Sequence, residues 1–410
     1  MKIYKCRSCK SKFLEKLFSL GNMAYTGIFP KNLKTVVPEG ILTLVICKFC
    51  KLVQLDRNFS SKKMYGMNYG YRTSLNKSMK KHILNKKKFL SNIKKLKKNS
   101  TILDIGSNDG TFLNSFDRSK FKLVGIDPTI KKFNKYYRSG IIKSSNFFSY
   151  KNFNQVAKKS KANLITSFSM FYDLQDPLKF TKDIYKCLDK NGIWHFEQSY
   201  LLDMLNKNSY DTICHEHLEY YSIHSINFII RESKLKIIDI KRNNINGGSI
   251  AITAAKQESK YKECKNLINK YLNKEVEKKI NNKITYKKFY SNFSKEKKKL
   301  MNFIDKLKSK GKKLIGYGAS TKGNVLLQWC GINNKKIDFI YDINEDKNNC
   351  YTPGTNIPIY KNLKTVKANS IYFLVLPWHF KDFILRKERK NKINIKQKFI
   401  FPLPKLIVKA

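Results

Sequence analysis

Two Cys-x-x-Cys pairs, Cys6-Arg7-Ser8-Cys9 and Cys47-Lys48-Phe49-Cys50, stand 37 residues apart. Each pair can offer two thiolates from one tight turn. Two such turns brought together complete a tetrahedral set of four sulfurs, which suits zinc. That closure ties residues 1–60 into a small domain with little core of its own, folded by its ion. Four protein ligands leave no open position, so Cys6, Cys9, Cys47 and Cys50 are expected to hold a structural Zn2+. The competing reading is two unrelated turns or a redox dithiol. The nine cysteines are odd in number and no apolar leader follows Met1. Reduced thiols in a cytoplasmic setting are therefore expected, without disulfides or a secretory signal.

Beyond a polar, Lys-rich connector (61–98, with a helix predicted over 74–96), hydrophobic periodicity switches to alternating strands and helices. Strands are predicted over 101–105, 121–126, 162–167, 192–197 and 250–254, with a helix over 176–188. Such alternation implies α/β folding around a parallel, doubly wound sheet. Residues 99–255 are assigned to this Rossmann-like domain and 256–310 to a linker of two long charged helices. A second Rossmann-like α/β domain follows over 311–410.

The chain carries 83 Lys and Arg against 30 Asp and Glu, a net charge of +53. Only nine of the basic residues are Arg. The Lys residues are spread from end to end, whereas nucleic-acid surfaces cluster Arg and Lys and interleave aromatics. Solvated helix faces are the preferred reading, and nucleic acid is not expected as a partner. A basic zinc-containing nucleic-acid binder stays as an alternative. The 41% hydrophobic content excludes a disordered polybasic tail. No apolar run of eighteen residues is present, so no membrane span is expected.

Asp104-Ile105-Gly106-Ser107-Asn108-Asp109-Gly110-Thr111 follows a predicted strand and is expected to open a helix. Gly106 permits a sharp turn, Gly110 a close approach, and Asn108 tolerates a left-handed backbone. Asp127, seventeen residues past Gly110, ends the next strand, where a carboxylate can accept both hydroxyls of a ribose. The combination resembles the S-adenosylmethionine (SAM) site of class I methyltransferases. Asp104, Gly106, Asn108, Gly110 and Asp127 are the expected cofactor contacts.

Cys214-His215-Glu216-His217-Leu218-Glu219-Tyr220 sets two imidazoles and a carboxyl side by side. Glu219 stands where a zincin motif needs His. An extended segment could point His215 and His217 at one metal. Otherwise the histidines are buried structural groups, or one serves as a general base, for which imidazole suits neutral pH.

Over essentially its full length the chain resembles the sugar-nucleotide C-methyltransferases of deoxysugar biosynthesis. The resemblance is carried by the two Cys pairs, Tyr69-Gly-Tyr71-Arg-Thr-Ser, the Gly106 loop, Gly125-Ile-Asp127-Pro, His215-Glu-His217-Leu-Glu-Tyr220-Tyr-Ser, Asn246-Gly-Gly-Ser and Gly316-Tyr-Gly-Ala-Ser-Thr-Lys322-Gly-Asn. It implies removal of a proton beside the ketone of a 4-keto sugar nucleotide and attack of the enolate carbon on the SAM methyl group. By the family pattern His217 is the base, Glu216 orients it or binds sugar, and Tyr71 joins them. Tyr69, His215, Tyr220 and Lys322 are expected on the substrate side. The Lys322 loop is open between a phosphate cradle and a plain strand–helix turn. One departure is that Cys214 stands where the family often has Tyr, so a phenol near the enolate oxygen is missing. Methylation of a sugar oxygen or nitrogen is the alternative. The oligomeric state is open, a monomer included.

Overall fold

The structure, a computed structural model, describes residues 1–65, 69–363, 370–390 and 396–410. Along the chain, β1 (Leu14–Ala24), β2 (Glu39–Cys47) and β3 (Val53–Leu55) come first. A run of β4 (Thr101–Ile105), β5 (Lys122–Ile126), β6 (Ile142–Ser144), β7 (Ala162–Phe168) and β8 (Leu188–Ser199) follows. Next come β9 (Glu219–Tyr220), β10 (Leu235–Asn243) and β11 (Ser249–Lys256). The last group is β12 (Lys313–Tyr317), β13 (Ile340–Tyr341), β14 (Ile359–Tyr360), β15 (Ser370–Val375), β16 (Lys396–Phe401) and β17 (Ile407–Lys409).

These strands form three sheets, of order β1-β2-β3-β9, β10-β11-β8-β7-β4-β5-β6 and β14-β13-β12-β15-β16-β17. In the central sheet β6, β5, β4, β7 and β8 run parallel, and β11 enters antiparallel between β8 and β10. Helices cover both faces, so β4 is buried at every residue, Thr101 and Asp104 included. The strand order reverses between β4 and β7, and in the third sheet between β12 and β15. Ligands of open α/β sheets bind at the carboxyl ends of strands at such reversals.

Local chemistry sets the element ends. Asp176 accepts the Lys179 amide and Pro177 stands at the first turn of the Pro177–Cys187 helix. Asn76 accepts the amides of Ser78 and Met79, which starts the Lys77–Ile93 helix. That helix buries Met79, Ile83, Lys86 and Leu90, one stripe at helical spacing.

One expectation needs correction. The Gly106–Gly110 turn does not open an α-helix; only a short 3-10 turn, Leu113–Ser115, follows it. The Asp109 side chain accepts the amide and hydroxyl of Thr111, turning the chain early and competing with the helix at its start. The sheet of residues 1–60 is completed from farther along the chain. Its fourth strand, β9, comes from the segment just after His217 and pairs with β3 at Val53–Tyr220 and Gln54–Glu219.

Candidate active site

A cavity opens where β4, β5 and β7 end, lined by Gly106, Asn108, Asp127, Thr129 and Met170, with Phe147, Phe148, Phe168 and Phe180 as an aromatic wall. Gly106 has φ +70°, and a Cβ there would press on Met170. Asn108 is left-handed, φ 48°, as expected. Asp127 holds the loop open: its Oδ2 accepts the Asn108 amide at 2.8 Å, and its Oδ1 accepts the amide and hydroxyl of Thr129, both at 2.6 Å. One acceptor site of the Asp127 carboxylate, on Oδ2, is left for a ribose hydroxyl, and the aromatic wall suits a purine. The residues fit SAM.

Two expected cofactor residues stand back from this cavity. Asp104 lies beneath the turn and accepts the Thr166 hydroxyl at 2.7 Å. Burial pushes its carboxyl up to about 8. Gly110 packs on the Tyr137 ring, which leaves no room for a side chain. Both shape the turn.

The turn also anchors the connector. Asn108 Oδ1 accepts the Thr73 amide at 2.9 Å, Asp109 Oδ2 accepts the Ser74 amide at 2.9 Å, and Asn108 Nδ2 donates to Tyr71 O at 3.2 Å. Tyr69 and Tyr71 are thereby held over a wall shared by the cofactor cavity and a second one beside it.

The second cavity receives Glu216 and His217 from the segment before β9, Asn246 from the turn before β11, and Lys322 and His379 from the ends of β12 and β15. The reversal point of the third sheet thus faces that of the central sheet. His217 Nδ1 lies 2.8 Å from Thr212 O. A carbonyl can only accept, so Nδ1 carries the hydrogen and Nε2 keeps its lone pair. Burial, and then the Lys322 ammonium, push this imidazole down to about 3. It is therefore a neutral proton acceptor at working pH. Glu216 Oε2 accepts the Thr26 hydroxyl at 3.1 Å, and a Cβ on Gly27 would overlap Oε1. Burial pushes this carboxyl up.

His215 and Tyr220 are not brought to the cavity. The chain turns between Cys214 and His217, whose amide donates to Cys214 O at 3.1 Å. The two imidazoles consequently diverge. His215 Nε2 donates to Gly40 O at 3.2 Å, and its ring sits between Tyr25 and Phe59. It belongs to the packing of the first sheet, and among the described residues only the four cysteines cluster as a metal set. The Tyr220 hydroxyl donates to His217 O at 3.0 Å, supporting the base from behind.

Sequence reasoning passed over three groups. His379 lines the second cavity with an unpartnered Nδ1. Asp173 faces both cavities with Oδ1 unpartnered. Lys347 enters beside Phe29. No spacing links these positions; only the meeting of the two sheets does.

The four Sγ atoms of Cys6, Cys9, Cys47 and Cys50 lie within 4.8 Å of one another, with Cys6–Cys50 and Cys9–Cys47 at 3.5 Å. Sulfurs on a tetrahedron about zinc stand ~3.8 Å apart. Gln54 Nε2 donates to Cys6 Sγ at 3.2 Å, a bond suited to a thiolate. The set fits a structural zinc ion.

Residues 6–65 match the family described as "Putative zinc binding domain", residues 75–240 "Methyltransferase domain", and residues 244–404 "C-methyltransferase C-terminal domain". C-methyltransferase NovU of Streptomyces niveus is 26% identical over 364 residues, covering 88% of this chain and 86% of that protein. Solved structures with partial likeness include a SAM-dependent methyltransferase from Clostridium acetobutylicum ATCC 824 (15% identity, TM-score 0.33, 43% of this chain and 89% of that chain). Another is a SAM-dependent methyltransferase from Aquifex aeolicus (17% identity, TM-score 0.30, 41% and 87%). With its cofactor cavity and its four-cysteine zinc site, this chain is a SAM-dependent methyltransferase related to NovU-like C-methyltransferases.

Proposed function

We propose that the enzyme methylates a carbon beside the ketone of a nucleotide-activated keto-deoxysugar. The observation that carries this reading is the His217 ring. Its Nδ1–H is fixed on Thr212 O and its free Nε2 belongs to a cavity that shares Tyr69, Tyr71 and Asp173 with the cofactor cavity. A C–H beside a ketone is a weak acid, so its removal needs a base held close and a partner for the developing oxyanion. His217 Nε2 takes that proton, and Thr212 O steadies the imidazolium. Glu216, held by Thr26 and given room by Gly27, orients the sugar hydroxyls. Tyr69 and Tyr71 close over the boundary and keep water from the carbanion. Bound SAM supplies the electrophilic methyl group. Lys322 and Lys347 make the far end of the cavity cationic, which suits a nucleotide-linked substrate.

In this reading residues 1–60 bind zinc, 61–98 form the connector, 99–255 hold SAM, 256–310 link, and 311–410 close on the substrate. No helix among the described residues is long and apolar enough to cross a membrane, and a cytoplasmic setting is part of the proposal.

The test is product analysis. A panel of keto sugar nucleotides is incubated with [methyl-13C]SAM and the products are examined by mass spectrometry and NMR. A new C–CH3 beside the carbonyl is expected. A label found on oxygen or nitrogen would replace this reading with heteroatom methylation.

A further inference from the structure

We infer that Lys322 is a catalytic residue whose ammonium takes up the negative charge that develops on the substrate carbonyl oxygen as His217 removes the neighbouring proton. The inference rests on the enolate reading above.

Three observations converge on it. Lys322 stands in the first turn of the Thr321–Cys330 helix and lines the same cavity as His217 and Glu216. Its Nζ donates to Asn246 O at 2.9 Å, a neutral partner that leaves two N–H donors. Among the described residues no carboxylate comes within ion-pair distance of it. Two other inner cations meet carboxylates, Lys86 on Glu197 at 2.5 Å and Arg7 on Glu219 at 3.7 Å, whereas Lys347 at the far end of the same cavity donates, like Lys322, to a backbone carbonyl, Ala319 O at 2.6 Å. Asp211, the acid whose field reaches Lys322, accepts the Trp378 Nε1–H at its Oδ2, 2.7 Å away.

A half-buried cation without a carboxylate calls for an anion to arrive. The imidazoles of His217 and His379, which line the same cavity, carry no negative charge in either protonation state. Position 214, where a phenol would serve as donor, is a buried Cys, a short and weak donor.

The charge bookkeeping closes. The C–H bond breaks, its proton goes to His217 Nε2, and its electron pair forms C=C. The carbonyl π pair moves to oxygen, and the oxyanion faces the Lys322 N–H groups. Attack of that carbon on the methyl group restores the carbonyl and leaves the displaced pair on sulfur. The His217 proton then passes to water. Lys322 is a cation throughout and neither gains nor loses a proton.

The test uses the full-length, zinc-loaded enzyme with S-adenosylhomocysteine bound, in D2O. NMR follows deuterium entry beside the ketone of a 4-keto sugar nucleotide, in wild type, Lys322→Met and Lys322→Arg. Calorimetry gives the Kd of that sugar nucleotide, of the nucleoside diphosphate alone and of S-adenosylhomocysteine. Wild type is expected to exchange. Lys322→Met is expected to slow exchange at saturation about 100-fold, the size of a lost oxyanion donor, with all three Kd values within about 3-fold of wild type. Lys322→Arg is expected to recover part of the rate. Full exchange in Lys322→Met would overturn the inference. So would a rise confined to the sugar-nucleotide and nucleoside-diphosphate Kd values, which would make Lys322 a phosphate anchor. Absence of exchange in wild type would overturn the enolate reading itself. A variant that loses zinc or S-adenosylhomocysteine binding is misfolded, and Lys322→Arg then decides: exchange at the full wild-type rate with weakened nucleotide binding refutes the inference, and slowed exchange with intact binding supports it.

Discussion

The Arg7 guanidinium lies 3.7 Å from the Glu219 carboxylate, with the side chains 2% and 0% exposed. Arg7 sits between two zinc ligands, and Glu219 is two residues past His217. The same guanidinium donates to Leu55 O, to Arg57 O at 2.6 Å and to Asn58 Oδ1 at 2.9 Å. The zinc knuckle therefore organises β3, β3 pairs with β9, and β9 fixes the segment that carries the base.

Removing one partner of a buried ion pair strands the other. Arg7→Met should cost about 3 kcal/mol in chemical denaturation, and adding Glu219→Gln should recover part of that. Equal stability of the single and double variants would contradict the pairing.

Zinc should follow the four sulfurs. Wild type is expected to bind one Zn2+ per chain by atomic emission. Cys47→Ser should lose the ion and unfold at lower denaturant, because binding energy and folding energy are the same here. Full metal content in that variant would remove the site.

Glu197 pins the Lys77–Ile93 helix to the central sheet. It meets His82 Nε2 at 2.6 Å and Lys86 Nζ at 2.5 Å, and accepts Asn243 Nδ2 at 2.8 Å. Against the burial that would raise it, His82 and Lys86 hold its carboxyl down at about 2. Met79 and Ile83 of that helix line the cofactor cavity. Glu197→Gln should weaken S-adenosylhomocysteine binding about tenfold by calorimetry, a loss on the order of 1.4 kcal/mol. Unchanged affinity would detach the helix from the cofactor site.

Asp104 gives a pH signature. Its folded pKa, about 8, lies above the unfolded value of about 3.9. The native state keeps a proton that the unfolded chain releases, so this contribution is complete below pH ~4 and is lost as pH rises toward 8. Asn at this position has no proton to lose and can still accept from Thr166. Asp104→Asn should therefore gain stability relative to wild type by roughly 1 kcal/mol per pH unit between pH 5 and 8. A difference that does not change with pH would show that Asp104 ionises normally.

Much of the scaffold was legible before any coordinates. The strands over 101–105 and 162–167 show as short apolar runs bounded by turn residues, and the four sulfurs meet because two Cys-x-x-Cys turns have few other uses. Period-two reasoning failed across His215 and His217, because a turn, not an extended strand, separates them. The helix expected after Gly110 failed because the Asp109 side chain takes the amide and hydroxyl of Thr111 and turns the chain. His379, Lys347 and Asp173 stayed hidden for a different reason. Each is unremarked in its own segment, and the two reversal points that bring them together are properties of sheet order.

Gly27 gives a test of position without touching a polar group. Its missing side chain makes room for Glu216 Oε1. Gly27→Ala should displace that carboxyl and lower kcat about 100-fold, as misplacement by ~1 Å does, while zinc content and S-adenosylhomocysteine affinity hold.

The central claim is that the His217 imidazole removes the proton beside the ketone. The most direct measurement is deuterium incorporation at that carbon in D2O, with S-adenosylhomocysteine bound, for wild type and His217→Ala. Wild type should incorporate deuterium. His217→Ala should bind both ligands and incorporate it at least about 100-fold more slowly. Incorporation at the wild-type rate by His217→Ala would contradict the account.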